Sequence, residues 1–232
     1  MRETRKIGLI GGMSWESSEL YYRLLNEAMR ERLGGFHSAR CVMTSVDFAA
    51  IEAMQVNGEW ERSGDLLAAE ARSLEAAGAE CVLLCTNTMH KVAGQITAAI
   101  SVPFLDIVDV TADAVAAQGM RRVALLGTRF TMEEPFYAER MASRGIEAFV
   151  PAADDRATVN RVIYDELVHG VVRDESRAEY RRIIDRMVAG GAEGVILGCT
   201  EIELLIRQED VTVPAFPTTA LHVQAAVDFA LR

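Results

Sequence analysis

Two stretches of this chain recur further along it, in the same order and at nearly the same distance, and no other feature limits the possible folds as much. Residues 5–22 (RKIGLIGGMSWESSELYY) lie over residues 121–138 (RRVALLGTRFTMEEPFYA) with a shift of 116. Residues 77–90 (AGAECVLLCTNTMH) lie over residues 190–203 (GGAEGVILGCTEIE) with a shift of 113. The first pair shares a basic dipeptide, an apolar run, a glycine turn and a helical stretch with a tyrosine at the same place, Tyr21 and Tyr137. The second shares Gly-Ala-Glu, a valine and a leucine. Strand–turn–helix units converge on similar sequences, so one match would carry little. Two in order, with shifts only three residues apart, indicate a duplication.

Short β-branched or apolar runs alternate with helix-length amphipathic segments. Strands are expected over 6–10, 41–47, 80–86, 103–106, 122–126, 148–150, 194–198 and 213–216. Helices are expected over 16–33, 59–77, 89–100, 131–144, 157–170, 176–189 and 218–231. This alternation predicts an α/β fold with parallel sheets and helical crossovers. The repeat divides it into two similar Rossmann-like or flavodoxin-like halves, which are expected to be related by a pseudo-twofold axis. The first half is expected to comprise 1–108 plus 215–232, and the second 109–214. The final strand and helix would then cross back to finish the first half's sheet.

Composition removes several classes of chemistry. Lysine and arginine total 24 against 34 acidic residues, a net charge of −10, which disfavours nucleic acid and anionic membrane surfaces as partners. Lys6 and Lys91 are the only lysines, so Schiff-base chemistry, pyridoxal phosphate included, has two candidates at most. Cys41, Cys81, Cys85 and Cys199 do not form a disulfide framework, and no metal-ligand spacing is present. No run approaches the roughly 18 apolar residues of a membrane span. The opening MRETRKIGLIGG reads as a charged lead into a strand rather than a signal peptide, so a cytoplasmic protein is expected.

In open parallel sheets, ligands bind beyond the carboxyl ends of the strands. Four strand-end loops are polar: Gly11-Gly12-Met13-Ser14, Thr86-Asn87-Thr88, Gly127-Thr128 and Cys199-Thr200-Glu201. Glycines allow close backbone approach and hydroxyls supply donors, which suits a small carboxylate. Such a turn is also often only a turn. Neither a P-loop nor G-x-G-x-x-G is present. The repeat sets Thr86 opposite Cys199. A thiol can take a proton as thiolate and return it, whereas a threonine hydroxyl donates or relays but is a poor base. Strand alternation turns Cys85 away from Thr86 and into the core, where Cys41 and Cys81 also belong.

GGMSWES, CTNTMH, GTRFTM and GCTEIELL, in this order and over nearly the whole chain, resemble the aspartate/glutamate racemase family, whose members work without pyridoxal phosphate. The resemblance implies two α/β halves, a site between them, no cofactor and commonly a homodimer. It also implies two cysteines exchanging the α-proton of an amino acid. The second maps onto Cys199; the first maps onto Thr86, a departure that questions a symmetric two-base mechanism. By resemblance Met13, Ser14, Asn87, Thr88, Thr128 and Thr200 hold the α-carboxylate and amino groups of a small acidic amino acid or dicarboxylate. Gln55 is a weaker candidate for the same work. The basic residues that bind the distal carboxylate in aspartate-specific members have no clear equivalents in VDFAA and YDELVHG. His169 could replace one of them or could simply be a histidine at a helix C-terminus. His90 could orient its loop, supply charge or be an ordinary helix residue; Glu201 could serve its own helix start or the cleft.

Three activities follow. The first is an amino-acid racemase with Cys199 as main acid/base and Thr86 on the opposite face. The second is a one-cysteine decarboxylase or isomerase of small dicarboxylates on the same scaffold. The third is a non-catalytic carboxylate-binding protein.

Overall fold

Eight short apolar runs pair, four by four, into two all-parallel sheets. The computed structural model describes residues 4–232, so the first three residues of the charged lead lie outside it. It separates into two units, residues 1–107 with 222–232, and residues 108–221. The first unit contains β1 (Ile7–Gly11), α1 (Trp15–Leu33), β2 (Cys41–Ser45), α2 (Phe48–Val56), α3 (Trp60–Ala76), β3 (Cys81–Leu84), α4 (Ala93–Ala99) and β4 (Phe104–Leu105). The second begins within α5 (Ile107–Ala117) and holds β5 (Arg122–Gly127), α6 (Arg129–Glu133), α7 (Pro135–Ser143), β6 (Glu147–Phe149) and α8 (Ala153–Asp165). It continues with α9 (Asp174–Ala189), β7 (Gly194–Gly198), α10 (Ile202–Leu205), β8 (Ala215–Pro217) and the start of α11 (Thr218–Leu231). The strand orders are β2-β1-β3-β4 and β6-β5-β7-β8, the same arrangement twice.

The register repeats as well. Ile7 stands beside Cys81 in the first sheet, and Val123 beside Gly194 in the second. These pairs differ by 116 and 113, the two shifts of the sequence repeat. Strands buried on both faces need apolar residues at every position, and β1, β3 and β7 are buried throughout. Alternation then assigns the side chains to faces. Ile10, Val82 and Leu84 join the core under α2 and α3, whereas Leu9, Cys81, Leu83 and Cys85 join the one lined by Tyr21, Leu25 and Met29 of α1. In the second unit Ala124, Leu126, Val195 and Leu197 pack with Val159, Tyr180 and Ile183.

The repeated Gly-Ala-Glu has a structural job in both units. α3 and α9 each end in a Schellman motif, with Gly78 and Gly191 in the left-handed region (φ 84° and 98°). Ala79 N–H bonds to Leu74 O and Gly78 N–H to Glu75 O; Ala192 to Met187 and Gly191 to Val188 repeat the pattern. The glutamates then accept from the backbone that opens the central strand. Glu80 takes Lys6 N–H at 2.9 Å, while Glu193 takes those of Arg121 and Arg122 at 2.6 and 3.0 Å. These bonds hold Glu193 below the usual carboxylate range.

Several expectations need correction. The strand expected over 213–216 is β8, and it pairs with β7 rather than finishing the first sheet. The place beside β3 is already filled by β4. β8–α11 instead repeats β4–α5, since Val82 beside Phe104 corresponds to Val195 beside Ala215. The final helix does return, for Val223, Ala226, Val227 and Ala230 pack in the first unit's core. The stretch 89–100 opens with a 3-10 turn (Thr88–Val92) before α4. The stretch 131–144 breaks at Glu134, because Pro135 begins α7 and forces an extended residue before it. The stretch 157–170 stops at Asp165, followed by a 3-10 turn (Leu167–His169). α2 and α5 are helices beyond those expected.

α11 carries one polar residue into the core. His222 is fully buried; its Nε2 lies 2.7 Å from Leu105 O and its Nδ1 2.9 Å from Tyr21 Oη. A carbonyl only accepts, so Nε2 bears the proton and Nδ1 accepts from the tyrosine. Burial pushes His222 down to about 3.

Two stability predictions follow from these contacts. Gly78→Ala should cost about 1–2 kcal/mol in urea unfolding, the penalty of a left-handed L-residue. The unfolded chain protonates His222 near pH 6.5. The folded chain does so only near 3, so stability falls as pH drops through that window. The slope from this group approaches about 1.4 kcal/mol per pH unit. His222→Gln should remove that contribution when unfolding free energies of the two proteins are compared between pH 4 and 6.

Candidate functional site

Each sheet presents polar loops at the carboxyl ends of its two central strands, and the register brings those loops together. In the first unit β1 runs into Gly11-Gly12-Met13-Ser14 and β3 into Thr86-Asn87-Thr88. Gly12 has φ of 92°, and a side chain there would collide with the Val46 carbonyl. Its N–H donates to Ser18 Oγ at 2.8 Å, and Ser18 Oγ donates to Ser14 O at 3.0 Å. Ser14 caps α1 by accepting from Ser17 N–H at 3.3 Å. The positive end of a long helix dipole therefore lies beside this loop, a setting that favours a carboxylate.

Thr86 follows Cys85 out of β3. It is partly exposed, whereas Asn87, Thr88 and Met89 are buried. Gln55, from α2, is 5 % exposed and directs Nε2 at Met89 Sδ, 2.9 Å away, which ties α2 to the TNTMH stretch. Met13, Ser14, Gln55, Thr86, Asn87 and Thr88 thus belong to one unit, on elements around a single sheet end. His90 is buried with both ring nitrogens on main chain, Nδ1 on Thr86 O at 2.8 Å and Nε2 on Ile107 N–H at 3.1 Å.

The second unit carries the thiol. Cys199 follows Gly198 directly and sits where Thr86 sits in the first unit, since Leu84 and Leu197 hold matching places on β3 and β7. A side chain on Gly198 would strike Leu126 O, so the two strand ends stay close. Cys199 is 8 % exposed, and its Sγ–H donates to Glu201 Oε2 at 2.9 Å. Burial first, and then the Glu201 carboxylate, push the thiol well above its ordinary value. At neutral pH Cys199 is therefore held as the thiol. Thr200 is 5 % exposed in the same tight turn, with its carbonyl accepting from Glu203 N–H. Thr128 caps α6 through Thr131 N–H at 3.3 Å, and its loop is held by Asn160 Oδ1, 2.7 Å from Arg129 N.

Cys85 and Cys81 pack in the core, and burial raises both thiols, Cys81 to about 12. Cys41 is half-buried against the same core. His169 is exposed at the end of its 3-10 turn, in keeping with the helix-terminus reading. Glu201 proves to be the partner of Cys199. Among the described residues no His/Cys/Asp/Glu cluster suits a metal, and no helix is long and apolar enough to cross a membrane.

Three features escaped the sequence reading. Glu203 accepts from Thr219 N–H at 2.9 Å, and burial pushes its carboxyl up to about 7. Glu166 is 3 % exposed; it accepts from Ser176 Oγ at 2.6 Å and pairs with Arg161 and Arg173. His222 lies in an Ala/Val-rich helix, and a histidine among those apolar residues was the available signal.

A sequence model described as Asp/Glu/Hydantoin racemase matches residues 10–226. A structure from Yersinia pestis, named as a candidate Asp/Glu racemase, is 49 % identical and superposes with a TM-score of 0.93, covering 98 % of this chain and 100 % of that one. An aspartate racemase homologue from Pyrococcus horikoshii is 34 % identical with a TM-score of 0.88, over 98 % and 100 % of the two chains. The aspartate racemase of Picrophilus torridus shares the fold at 20 % identity, with a TM-score of 0.74 and coverage of 97 % and 94 %.

Removing the Glu201 charge tests the electrostatics of the thiol. Glu201→Gln should make Cys199 more acidic by about one pH unit or more. The measurement is a thiolate absorbance titration, with Cys199→Ala subtracted to isolate this group. An unmoved midpoint would show that burial alone sets it.

Proposed function

The chain belongs to the Asp/Glu/hydantoin racemase family, and from that premise we propose that it is a cofactor-independent amino-acid racemase of the aspartate/glutamate type. Cys199 is its main acid/base, and Thr86 serves the opposite face of the substrate. One observation carries the reading: two equivalent sheets put a buried thiol and a hydroxyl at the same position after the same strand.

The α-proton of an amino acid is weakly acidic, so its removal needs stabilisation of the charge that develops toward the carboxylate. Ser14, Asn87, Thr88, Thr128 and Thr200, with the backbone N–H groups of their loops, supply the donors in this proposal. Met13 and Gln55 shape the first unit's share of the pocket. In one direction the α-proton leaves the Thr86 face by relay through its hydroxyl to water, and Cys199 gives its proton to the other face, regaining one from solvent. In the other, Cys199 passes its proton to Glu201, takes the substrate's α-proton as thiolate, and water relayed through Thr86 protonates the opposite face. Thr86 cannot reach a stable alkoxide at neutral pH, so it donates or relays and is the weaker partner. Proton exchange at the two faces is consequently unequal, although net interconversion of enantiomers, with an equilibrium constant of one, has the same kcat/KM in both directions.

Only one of the two equivalent positions carries a thiol, and this favours one other chemistry. A decarboxylase of small dicarboxylates requires a proton donor on a single face, and Cys199 alone would provide it.

Incubation of each enantiomer of glutamate and aspartate in heavy water separates these readings. We expect faster α-deuterium wash-in from one enantiomer than from the other. Cys199→Ala should lower exchange by roughly a hundredfold or more. Thr86→Cys should bring the exchange rates of the two enantiomers closer together. Equal wash-in from both enantiomers, untouched by Cys199→Ala, would sink the racemase. Carbon dioxide release from a malonate, without amino-acid exchange, would establish the decarboxylase.

A further inference from the structure

The first unit buries two histidines side by side, and neither is used as an acid or base in the chemistry above. His90 is 5 % exposed and His222 fully buried, with ring centroids 6.1 Å apart. Thr86 O can only accept, so the 2.8 Å contact requires the proton on His90 Nδ1. Ile107 N–H can only donate, so the 3.1 Å contact requires a lone pair on His90 Nε2. Both conditions select one form, the neutral Nδ1–H tautomer. A second proton on Nε2 would have to displace a buried main-chain donor. His222, held by Leu105 O and Tyr21 Oη, is fixed in the opposite tautomer. Phe104 covers another side of the His90 ring, with centroids 5.6 Å apart.

These bonds form a path through the backbone. His90 joins the carbonyl of Thr86 to the N–H of Ile107, while His222 joins Leu105 O to the α1 tyrosine. Leu105 ends β4, and Ile107 starts α5. The loop holding Thr86 is therefore fastened to the neighbouring strand end by an imidazole, not by a ladder bond.

We infer that His90 is a positioning residue: an uncharged imidazole locked as the Nδ1–H tautomer, which fixes the Thr86 backbone and so aims the Thr86 hydroxyl. This rests on Thr86 serving one face of the substrate, as proposed above. It assigns His90 neither positive charge toward the substrate nor a proton-transfer step. The residue acts through Thr86 alone.

Two measurements test the assignment. The first is nitrogen-15 NMR of the side chains in the whole protein at pH 7, with the His90 signals identified by their loss in His90→Asn. A protonated Nδ1 and an unprotonated Nε2 are expected; an Nε2–H tautomer or an imidazolium would overturn the lock. The second is α-deuterium wash-in from both enantiomers. His90→Leu should slow α-deuterium exchange at the face served by Thr86 by on the order of tenfold, the effect of losing a buried hydrogen bond. Exchange at the face served by Cys199 should change far less. His90→Asn keeps an N–H for the Thr86 carbonyl and should recover most of the lost rate. Equal loss at both faces, or no recovery with Asn, would overturn the positioning role while leaving the racemase intact. Wild-type protein inert toward every amino acid would instead overturn the racemase reading, and with it the catalytic half of this one.

Discussion

A parallel sheet cannot double back in two residues. Each strand is reached by a crossover, so all carboxyl ends of the strands open on one side and all amino ends on the other. Everything else in the molecule is arranged around this. At the amino ends, Schellman turns at Gly78 and Gly191 and the carboxylates of Glu80 and Glu193 fasten helix to strand. At the carboxyl ends lie Ser14, Thr86, Thr128 and Cys199, with few ladder bonds and many side-chain bonds. The helix-to-strand fastenings and the polar loops thereby stand at opposite ends of the same strands.

The two units share a scaffold but not an electrostatic setting. Cys199 is buried beside a carboxylate, which favours the protonated thiol. The matching residue, Thr86, is partly exposed and stands on a loop pinned by a neutral histidine. A chain of net charge −10 repels an acidic ligand at long range. For the acidic substrate proposed above, attraction would have to come from local donors, such as the N-terminus of α1 and the hydroxyls around it, which act within a few ångströms.

Much of this was legible in the sequence because it is encoded locally. The five-residue runs of β1 and of β7, and the glycines after α3 and α9, specify strand and turn wherever they occur. The equivalence of Thr86 and Cys199 could be read from two shifts, which the sheet register reproduces pair by pair. What could not be read depends on distant partners. β8 has the same pattern whether it joins one sheet or the other, and only the presence of β4 beside β3 decides. Glu166 resembles a solvated helix-end carboxylate until Ser176 and two arginines are brought to it. His90 left three readings open, because its tautomer is set by Ile107, seventeen residues away.

The division of the chain within α11 has a temporal consequence. The first unit contains residues 1–107, yet Val223, Ala226, Val227 and Ala230 fill its core beside Ile7, Leu9 and Tyr21. On the ribosome that unit is begun before the second and completed after it. The second unit, an uninterrupted stretch from 108 to 221, has all its residues before the first does. During synthesis the apolar face of β1 and β3 stays uncovered until the last turns of α11 are made.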